Sequence, residues 1–258
     1  MKQNPAFGAA PLLQSPYLCF MKVDVLSIAA HPDDTEMSAA GTILSLVAQG
    51  KIVAAVDLTR GELGTRGTPE IRQAEADAAT RMLGLSAREN MGFRDGFFRN
   101  DEAHQRALIA VIRHFQPEIV LTNTPDDRHP DHGRAAELVV EACFYAGLRM
   151  IETERDGQRQ AAWRPKFVYH FIQDRWLKPS FVVDISAHWE GKLASIQAYQ
   201  SQFFDPNSTE PSSYISGQDF MDFLKARAEE YGHMIGVKYG EGFIAQRMLG
   251  VQDLFGLV

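Results

Sequence analysis

Apolar residues along this chain fall into short continuous runs that alternate with helical repeats. The run VDVLSIAA at 23–30 is apolar and partly β-branched, which predicts a buried strand. The next segment carries apolar residues at helical spacing, namely Ala39, Ala40, Ile43, Leu44 and Val47. Asp33 followed three residues later by Glu36 predicts a capping box, and Gly50 provides the left-handed residue at which a helix ends. The stretch is therefore predicted as a strand, a turn and a helix.

The same alternation continues along the rest of the chain. Further strands are predicted at 51–59, near Asn90, and at 118–123, 166–172 and 181–185. Further helices are predicted at 101–115, 133–146, about 187–203 and 218–234. Strands that alternate with helices of this length indicate βαβ units with right-handed crossovers. The predicted fold class is α/β, a Rossmann-like three-layer sandwich with a mostly parallel sheet.

One more helix is predicted between the second and third strands, with a definite buried face. Thr68 and Pro69 supply the cap and first turn, and Gly84 ends the helix. Its predicted apolar face consists of Ile71, Ala74, Ala78 and Met82. Arg72 would then be either a solvated surface charge or a residue that reaches a ligand.

Length and composition favour one domain with a large core. The chain has 258 residues, of which 45% are hydrophobic. Residues 1–20 lack a basic region followed by a clean apolar run, so a signal peptide is not predicted. We expect an N-terminal extension at 1–20 and a single catalytic domain at 21–258.

The charge and cysteine content restrict the partners of the protein. The formal net charge is −7 without long blocks of one sign, which argues against nucleic acid as a partner. No apolar run approaches the roughly 20 residues that span a bilayer, which argues against a membrane protein. Cys19 and Cys143 form no metal or disulfide pattern. A cytoplasmic location is expected.

Polar residues of the kind that bind metals follow two of the predicted strands. AHPDD occupies 30–34 after the first strand, and DDRHPDH occupies 126–132 after the strand at 118–123. The carboxyl ends of parallel strands share one edge of a sheet, so the two loops can converge. Together they offer His31, Asp33, Asp34, Asp126, Asp127, His129, Asp131 and His132. A core does not need such a set, because each buried charge would require a partner.

A set of this kind fits a catalytic metal site. Zinc enzymes usually provide three nitrogen or oxygen ligands and an open position for water. Two histidines and one carboxylate meet that need, and Fe²⁺ or Co²⁺ would accept the same ligands as Zn²⁺. Spacing does not say which His and Asp residues bind the metal. A nucleotide-binding Rossmann protein is excluded, because HPDD stands where GxGxxG would be required.

The motifs AHPDD, LTRGELG and HPDHGRAA resemble those of the PIG-L/LmbE-like zinc de-N-acetylase superfamily, over residues 23 to about 246. RHPDHGRAA, KPSFVVDIS and YGEGFIAQR are most similar to the bacillithiol-biosynthesis branch, whose members deacetylate N-acetylglucosaminyl malate. The resemblance implies a hydrolase of a small amino-sugar conjugate that forms a homo-oligomer.

The resemblance also implies roles for residues within the two motifs. His31, Asp34 and His132 would bind zinc, and Asp33 would be the general base that returns its proton to the leaving amine. His129 would stabilise the oxyanion or the attacking water, oriented by Asp131.

Substrate contacts follow from the same resemblance. Arg72 and Asp95 would hold sugar hydroxyls, and Arg128 could bind a malate carboxylate in bidentate fashion. Two alternatives stay open. One is the same hydrolysis on a GlcNAc-inositol, a chitooligosaccharide or an antibiotic precursor. The other is a non-catalytic metal- or sugar-binding protein, against which the presence of Asp33 argues.

Overall fold

The computed structural model describes residues 21–254, so the predicted extension at 1–20 lies outside the described residues. The first half of the described chain alternates strands and helices: β1 Val25–Ala29, α1 Asp34–Ala48, β2 Val53–Thr59, α2 Pro69–Leu83, β3 Ala87–Phe93, α3 Glu102–Phe115, β4 Ile119–Thr122 and α4 Pro130–Ala146. The second half contains β5 Glu154–Arg155, β6 Gln158–Arg159, β7 Phe167–Phe171, β8 Phe181–Asp184, α5 Trp189–Gln197, α6 Gln218–Met234 and β9 Gly240–Ala245.

Seven strands form one sheet in the order β3-β2-β1-β4-β7-β9-β8. The strands from β3 to β7 are parallel, and β9 runs antiparallel to both β7 and β8. The predicted α/β class with a mostly parallel sheet is confirmed. Along the chain, strands are first added on one side of β1, as β2 and β3, and then on its other side, beginning with β4. The position between β1 and β4 is the topological switch point of the sheet, where ligand crevices open in folds of this kind.

Helices cover both faces of the sheet, as the alternation along β1 shows. Leu26 and Ile28 pack into the core layer beneath α3 and α4, whereas Val25 and Ala29 pack into the layer that contains α1. A third cluster joins α1, α2, α5 and α6 through Met37, Ala76, Ala79, Ile196, Tyr199, Phe203, Phe220 and Leu224. This third cluster supports one wall of the crevice.

Two local predictions at α1 and α2 are wrong. Asp33 precedes α1 with φ 104° and makes no side-chain cap, because its carboxylate binds Arg72 instead. The buried face of α2 consists of Arg72, Ala76, Ala79 and Leu83, whereas Ile71 is 46% exposed. The helix is rotated from the predicted face because Arg72 finds a buried partner. The predicted Thr68 cap and Gly84 stop are confirmed.

The second half differs more from the prediction. The predicted helix at 187–203 contains a 3₁₀ turn followed by α5, which ends at Gln197. Beyond it, Glu75 of α2 accepts hydrogen bonds from the backbone and hydroxyl of Ser201, which draws the chain away from helical geometry. Neither β9 nor the β5–β6 hairpin was predicted. Within residues 21–254, every helix is too short or too polar to cross a membrane.

Candidate active site

The two motifs meet at the switch point of the sheet. The turn after β1 is held by two hydrogen bonds, from the His31 amide to Asp34 Oδ2 at 3.0 Å and from the Ala30 amide to Asn123 Oδ1 at 2.9 Å. Asn123 follows β4 directly, so the second bond ties the β1 turn to the end of β4. The left-handed backbone of Asp33 lies within this turn.

Asp34 lies between two of the predicted metal ligands. Its Oδ1 is 3.2 Å from His132 Nε2, and its Oδ2 is 3.5 Å from His31 Nδ1. His129 adds a third ring nitrogen, since one nitrogen each of His31, His129 and His132 lie within 4.8 Å of one another. A second group, of His31, Asp95 and Asp131, meets the same distance. The structure thus brings the predicted ligands together and adds other donors beside them.

His132 is oriented by a carboxylate from its own motif. Its Nδ1 lies 2.8 Å from Asp127 Oδ2, which leaves Nε2 facing Asp34. A carboxylate on one imidazole nitrogen fixes the tautomer and increases the basicity of the other nitrogen. Asp127 was a candidate by composition, but this role was not predicted.

Two amide side chains that sequence reasoning missed hold Asp34. Gln173 Nε2 donates to Asp34 Oδ1 at 2.6 Å, and Asn123 Nδ2 donates to Oδ2 at 3.2 Å. Asn123 comes one position after β4, and Gln173 comes two positions after β7. Their position at the carboxyl ends of strands was the available signal.

Asp33 forms a buried ion pair with Arg72. Arg72 Nη2 lies 2.7 Å from Asp33 Oδ2, and the two side chains are 6% and 5% exposed. Burial raises the pKa of Asp33 to about 7, and the opposing effect of Arg72 limits the rise. Arg72 lines the pocket as predicted for a substrate contact, but its Nη2 also donates to the Pro32 carbonyl. Its observed partners are therefore protein groups.

The orientation of His129 by the Asp131 carboxylate is not observed. His129 Nδ1 accepts a hydrogen bond from the Asp131 backbone amide at 3.2 Å. The Asp131 carboxylate instead accepts from the Gly96 amide and from Arg134, and lies 3.4 Å from His31 Nε2. Gly96 lies in the loop after β3 and Arg134 lies one turn further along α4, and together they take both carboxylate oxygens. Burial, with smaller effects of neighbouring imidazoles, lowers the pKa of His129 to about 4.

Asp95 also contacts His31. Its Oδ1 lies 3.1 Å from His31 Nε2, and its Oδ2 accepts the Leu63 amide at 2.9 Å. Burial would raise the pKa of Asp95, but hydrogen bonding to His31 and the Leu63 amide outweighs it and lowers the pKa. Glu62 accepts a hydrogen bond from the Asp95 amide at 2.8 Å. Asp95 lines the pocket, so the predicted sugar contact stays a prediction.

The donor set fits a divalent cation. Five carboxylates surround the cluster, from Asp33, Asp34, Asp95, Asp127 and Asp131, and two arginines, Arg72 and Arg134, pair with them. Burial lowers the pKa of His132, but Asp34 and Asp127 outweigh it and raise the pKa to about 9. Burial also lowers the pKa of His31, but contacts with Asp131, Asp34 and Asp95 outweigh it and raise this pKa as well, so the surroundings of these two rings carry an excess of negative charge. Two imidazoles and a carboxylate are ligands that zinc, iron and cobalt accept.

The cluster forms the floor of a pocket of about 410 Å³, which is large enough for a sugar-sized ligand. Apolar side chains form much of its walls, namely Met37, Leu63, Phe97, Ile215 and Phe220. Arg128 lies at the mouth, where its side chain is 44% exposed and stacks on Tyr214. The fold and the site define an α/β protein whose His–Asp pocket opens at the switch point of its sheet.

Comparison with known proteins identifies the family. Residues 26–143 match the family described as "PIG-L: GlcNAc-PI de-N-acetylase". The chain is 30% identical over 228 residues to the diacetylchitobiose deacetylase of Thermococcus kodakarensis, across 84% of this chain and 81% of that one. The chain belongs to the PIG-L de-N-acetylase family, so the superfamily indicated by its motifs is confirmed.

Two further similarities agree with this assignment. The chain is 28% identical over 193 residues to the probable N-acetyl-alpha-D-glucosaminyl L-malate deacetylase 2 of Bacillus anthracis, across 69% of this chain and 81% of that one. The crystal structure of a conserved protein from Thermus thermophilus superposes with a TM-score of 0.80 at 34% identity. That match covers 90% of this chain and 98% of the other.

Proposed function

We propose that this protein is a metal-dependent de-N-acetylase that removes the acetyl group from N-acetylglucosaminyl malate. The observation that carries the proposal is the buried acid Asp33 beside the His31–Asp34–His132 cluster at the floor of a sugar-sized pocket. The similarity to deacetylases named for chitobiose and glucosaminyl malate supports the reaction class. A cytoplasmic location and a homo-oligomeric state are further predictions of this proposal.

His31, Asp34 and His132 would hold the metal, with Zn²⁺ proposed and Fe²⁺ or Co²⁺ as alternatives. When bound, such an ion polarises the amide carbonyl and lowers the pKa of water toward about 7. Gln173 and Asn123 hold the two oxygens of Asp34, and Asp127 fixes the His132 ring. The ligands are therefore oriented by neutral donors and one further carboxylate.

Asp33 is the group proposed to move the proton. Arg72 binds Oδ2, which leaves Oδ1 to accept a proton from the attacking water. A carboxyl group with a pKa of about 7 can both accept this proton and return it to the leaving amine near neutral pH. Arg72 keeps the carboxylate in one position between the two transfers.

His129 is proposed to stabilise the developing negative charge on the carbonyl oxygen. A pKa of about 4 keeps its ring neutral at pH 7. Because Nδ1 accepts the Asp131 amide, the single ring proton lies on Nε2, where it can donate to the substrate oxygen. Preorganised donors of this kind stabilise the transition state more than the ground state.

The malate assignment rests on Arg128. The guanidinium lies at the pocket mouth, outside the buried ion pairs, where the aglycone of a bound sugar would emerge. A planar guanidinium binds carboxylates through two parallel hydrogen bonds. The malate conjugate carries two carboxylates, whereas the inositol and chitooligosaccharide alternatives carry none at this position.

Acetate release from four substrates tests the proposal. Zinc-loaded protein would be assayed on N-acetylglucosaminyl malate, a GlcNAc-inositol, diacetylchitobiose and free N-acetylglucosamine, with Asp33→Asn as the control. We expect the malate conjugate to be hydrolysed fastest. Equal kcat/KM on all four would remove the malate assignment alone. Sugar binding without acetate release from any of them would identify a non-catalytic binding protein instead.

A further inference from the structure

The mouth of the pocket holds a small group of side chains around Arg128. The Arg128 guanidinium lies over the Tyr214 ring at 3.9 Å from its centre, and its Nε lies 3.4 Å from Asp174 Oδ2. Within residues 21–254, the Asp174 contact is the only hydrogen bond that the Arg128 side chain makes. The cation therefore rests on an aromatic face and has one long contact at its edge.

Tyr214 is a supported platform, although its side chain lies at the surface. It belongs to the segment between α5 and α6, and it is 54% exposed. Its ring packs edge-on against Phe220, with ring centres 5.6 Å apart, and Phe220 is 7% exposed at the start of α6. Ile215, the next residue, lines the pocket. The ring is thus braced from the core on one side and presents the other side to Arg128.

Asp174 is fixed independently of Arg128. Arg227 donates from its two Nη atoms to the carbonyl oxygens of Gln173 and Asp174, which holds this backbone against α6. The Asp174 side chain is 15% exposed and lines the same pocket as Arg128. A contact of 3.4 Å on a partly exposed arginine is at the weak end for a hydrogen bond. An incoming carboxylate can therefore exchange with Asp174.

We propose that Tyr214 and Asp174 set the preference of the site for an anionic aglycone, an inference that rests on the proposed function. Tyr214 is a positioning residue: it holds the guanidinium flat, so that the in-plane Nη donors stay available for a substrate carboxylate. Asp174 binds the Arg128 guanidinium when no ligand is present and competes with the aglycone for this cation. The preference for an anionic aglycone then depends on how well Tyr214 positions the Arg128 guanidinium and on how strongly Asp174 competes for it.

The test compares a charged and a neutral aglycone of nearly equal size. N-acetylglucosaminyl malate and its dimethyl ester would be assayed with wild type, Tyr214→Ala, Tyr214→Phe and Asp174→Asn. We expect Tyr214→Ala to lower the charged-to-neutral ratio of kcat/KM by about three- to tenfold. Tyr214→Phe should keep most of the wild-type ratio, because the ring that stacks on Arg128 remains although the hydroxyl interaction with Asp174 is lost. Asp174→Asn should raise the ratio. These changes should lie mainly in KM, because the contact is remote from the reacting amide.

Phe144→Ala is the matched control. Phe144 is 53% exposed and lies under Arg164 at 4.3 Å, in a separate cavity, so this variant removes a similar arginine–aromatic pair. It should leave the ratio at the wild-type value. A wild-type preference that persists in Tyr214→Ala overturns this inference and leaves the proposed function standing. Equal wild-type rates on both substrates overturn the inference and the malate assignment. Absence of any hydrolysis overturns the inference and the de-N-acetylase proposal together.

Discussion

Replacing Arg72 by methionine should destabilise the protein through Asp33. The two side chains are 6% and 5% exposed and their closest atoms are 2.7 Å apart. Removing one partner of a buried ion pair typically costs about 3–5 kcal/mol. Because the pKa of Asp33 is already about 7, the carboxylate that loses its arginine partner can take up a proton, which relieves part of that cost. We therefore expect a value at the lower end of this range, a loss of about 3 kcal/mol in the free energy of unfolding.

Equilibrium unfolding in urea is the assay, with metal-stripped protein so that metal binding does not contribute. The double variant Arg72→Met/Asp33→Asn completes a mutant cycle, since asparagine removes the charge that methionine leaves unpaired. We expect the double variant to recover at least about 1 kcal/mol of coupling energy. Gln73→Met is the matched control, because Gln73 is the exposed neighbour of Arg72 on α2.

The reasoning about this pair is refuted by either of two results. One is an Arg72→Met variant that unfolds within about 0.5 kcal/mol of the wild type, the range typical of surface substitutions. The other is strict additivity in the cycle, which would show that Arg72 and Asp33 do not stabilise each other.

Three further predictions concern the catalytic cluster. Asp33→Asn should retain bound metal and lose about 10² or more in kcat, and normal turnover with metal present would assign the base to another residue. His129→Ala should also retain metal and lose roughly 10² in kcat; a variant that instead loses its metal would make His129 a ligand. Asp127→Asn should weaken metal binding by about 10- to 100-fold in a chelator competition, because His132 loses its orienting carboxylate. The exposed neighbour variant Asp126→Asn should bind metal like the wild type, and equal affinities for both variants would contradict the assigned role of Asp127.

The elements that position the site were predictable because local pattern and chemistry agree there. The run at 23–30 is apolar almost without interruption, and AHPDD follows it at the point where a parallel strand must end. DDRHPDH has the same relation to β4. Since both loops follow parallel strands, their meeting at one edge of the sheet follows from topology. This is why the two loops that carry His31, Asp34 and His132 could be placed together from the sequence, whereas the choice of these three as ligands came from the family resemblance.

Partners that come from distant segments could not be predicted. On α2, hydrophobic periodicity wrongly predicted that Ile71 is buried. A pattern of apolar residues cannot show that the neighbouring Arg72 is buried instead, where it pairs with a carboxylate 39 positions earlier in the chain. Asp131 was assigned to its neighbour His129, whereas the amide of Gly96, 35 positions earlier in the chain, takes one of its carboxylate oxygens and Arg134, one turn later on α4, takes the other. The strand β9 contains two glycines and forms because β7 and β8 offer free edges on both sides of it.

Metal titration of the stripped protein tests the central proposal most directly. Chelator-treated wild type would receive zinc in steps, with acetate release from N-acetylglucosaminyl malate measured at each step. We predict that activity is absent at first, rises linearly, and reaches its plateau at about one ion per chain, as a single three-ligand site requires. Full activity in the stripped protein would contradict a metal site formed by His31, Asp34 and His132, and no activity at any zinc content would contradict the proposed zinc-dependent hydrolysis of the malate conjugate.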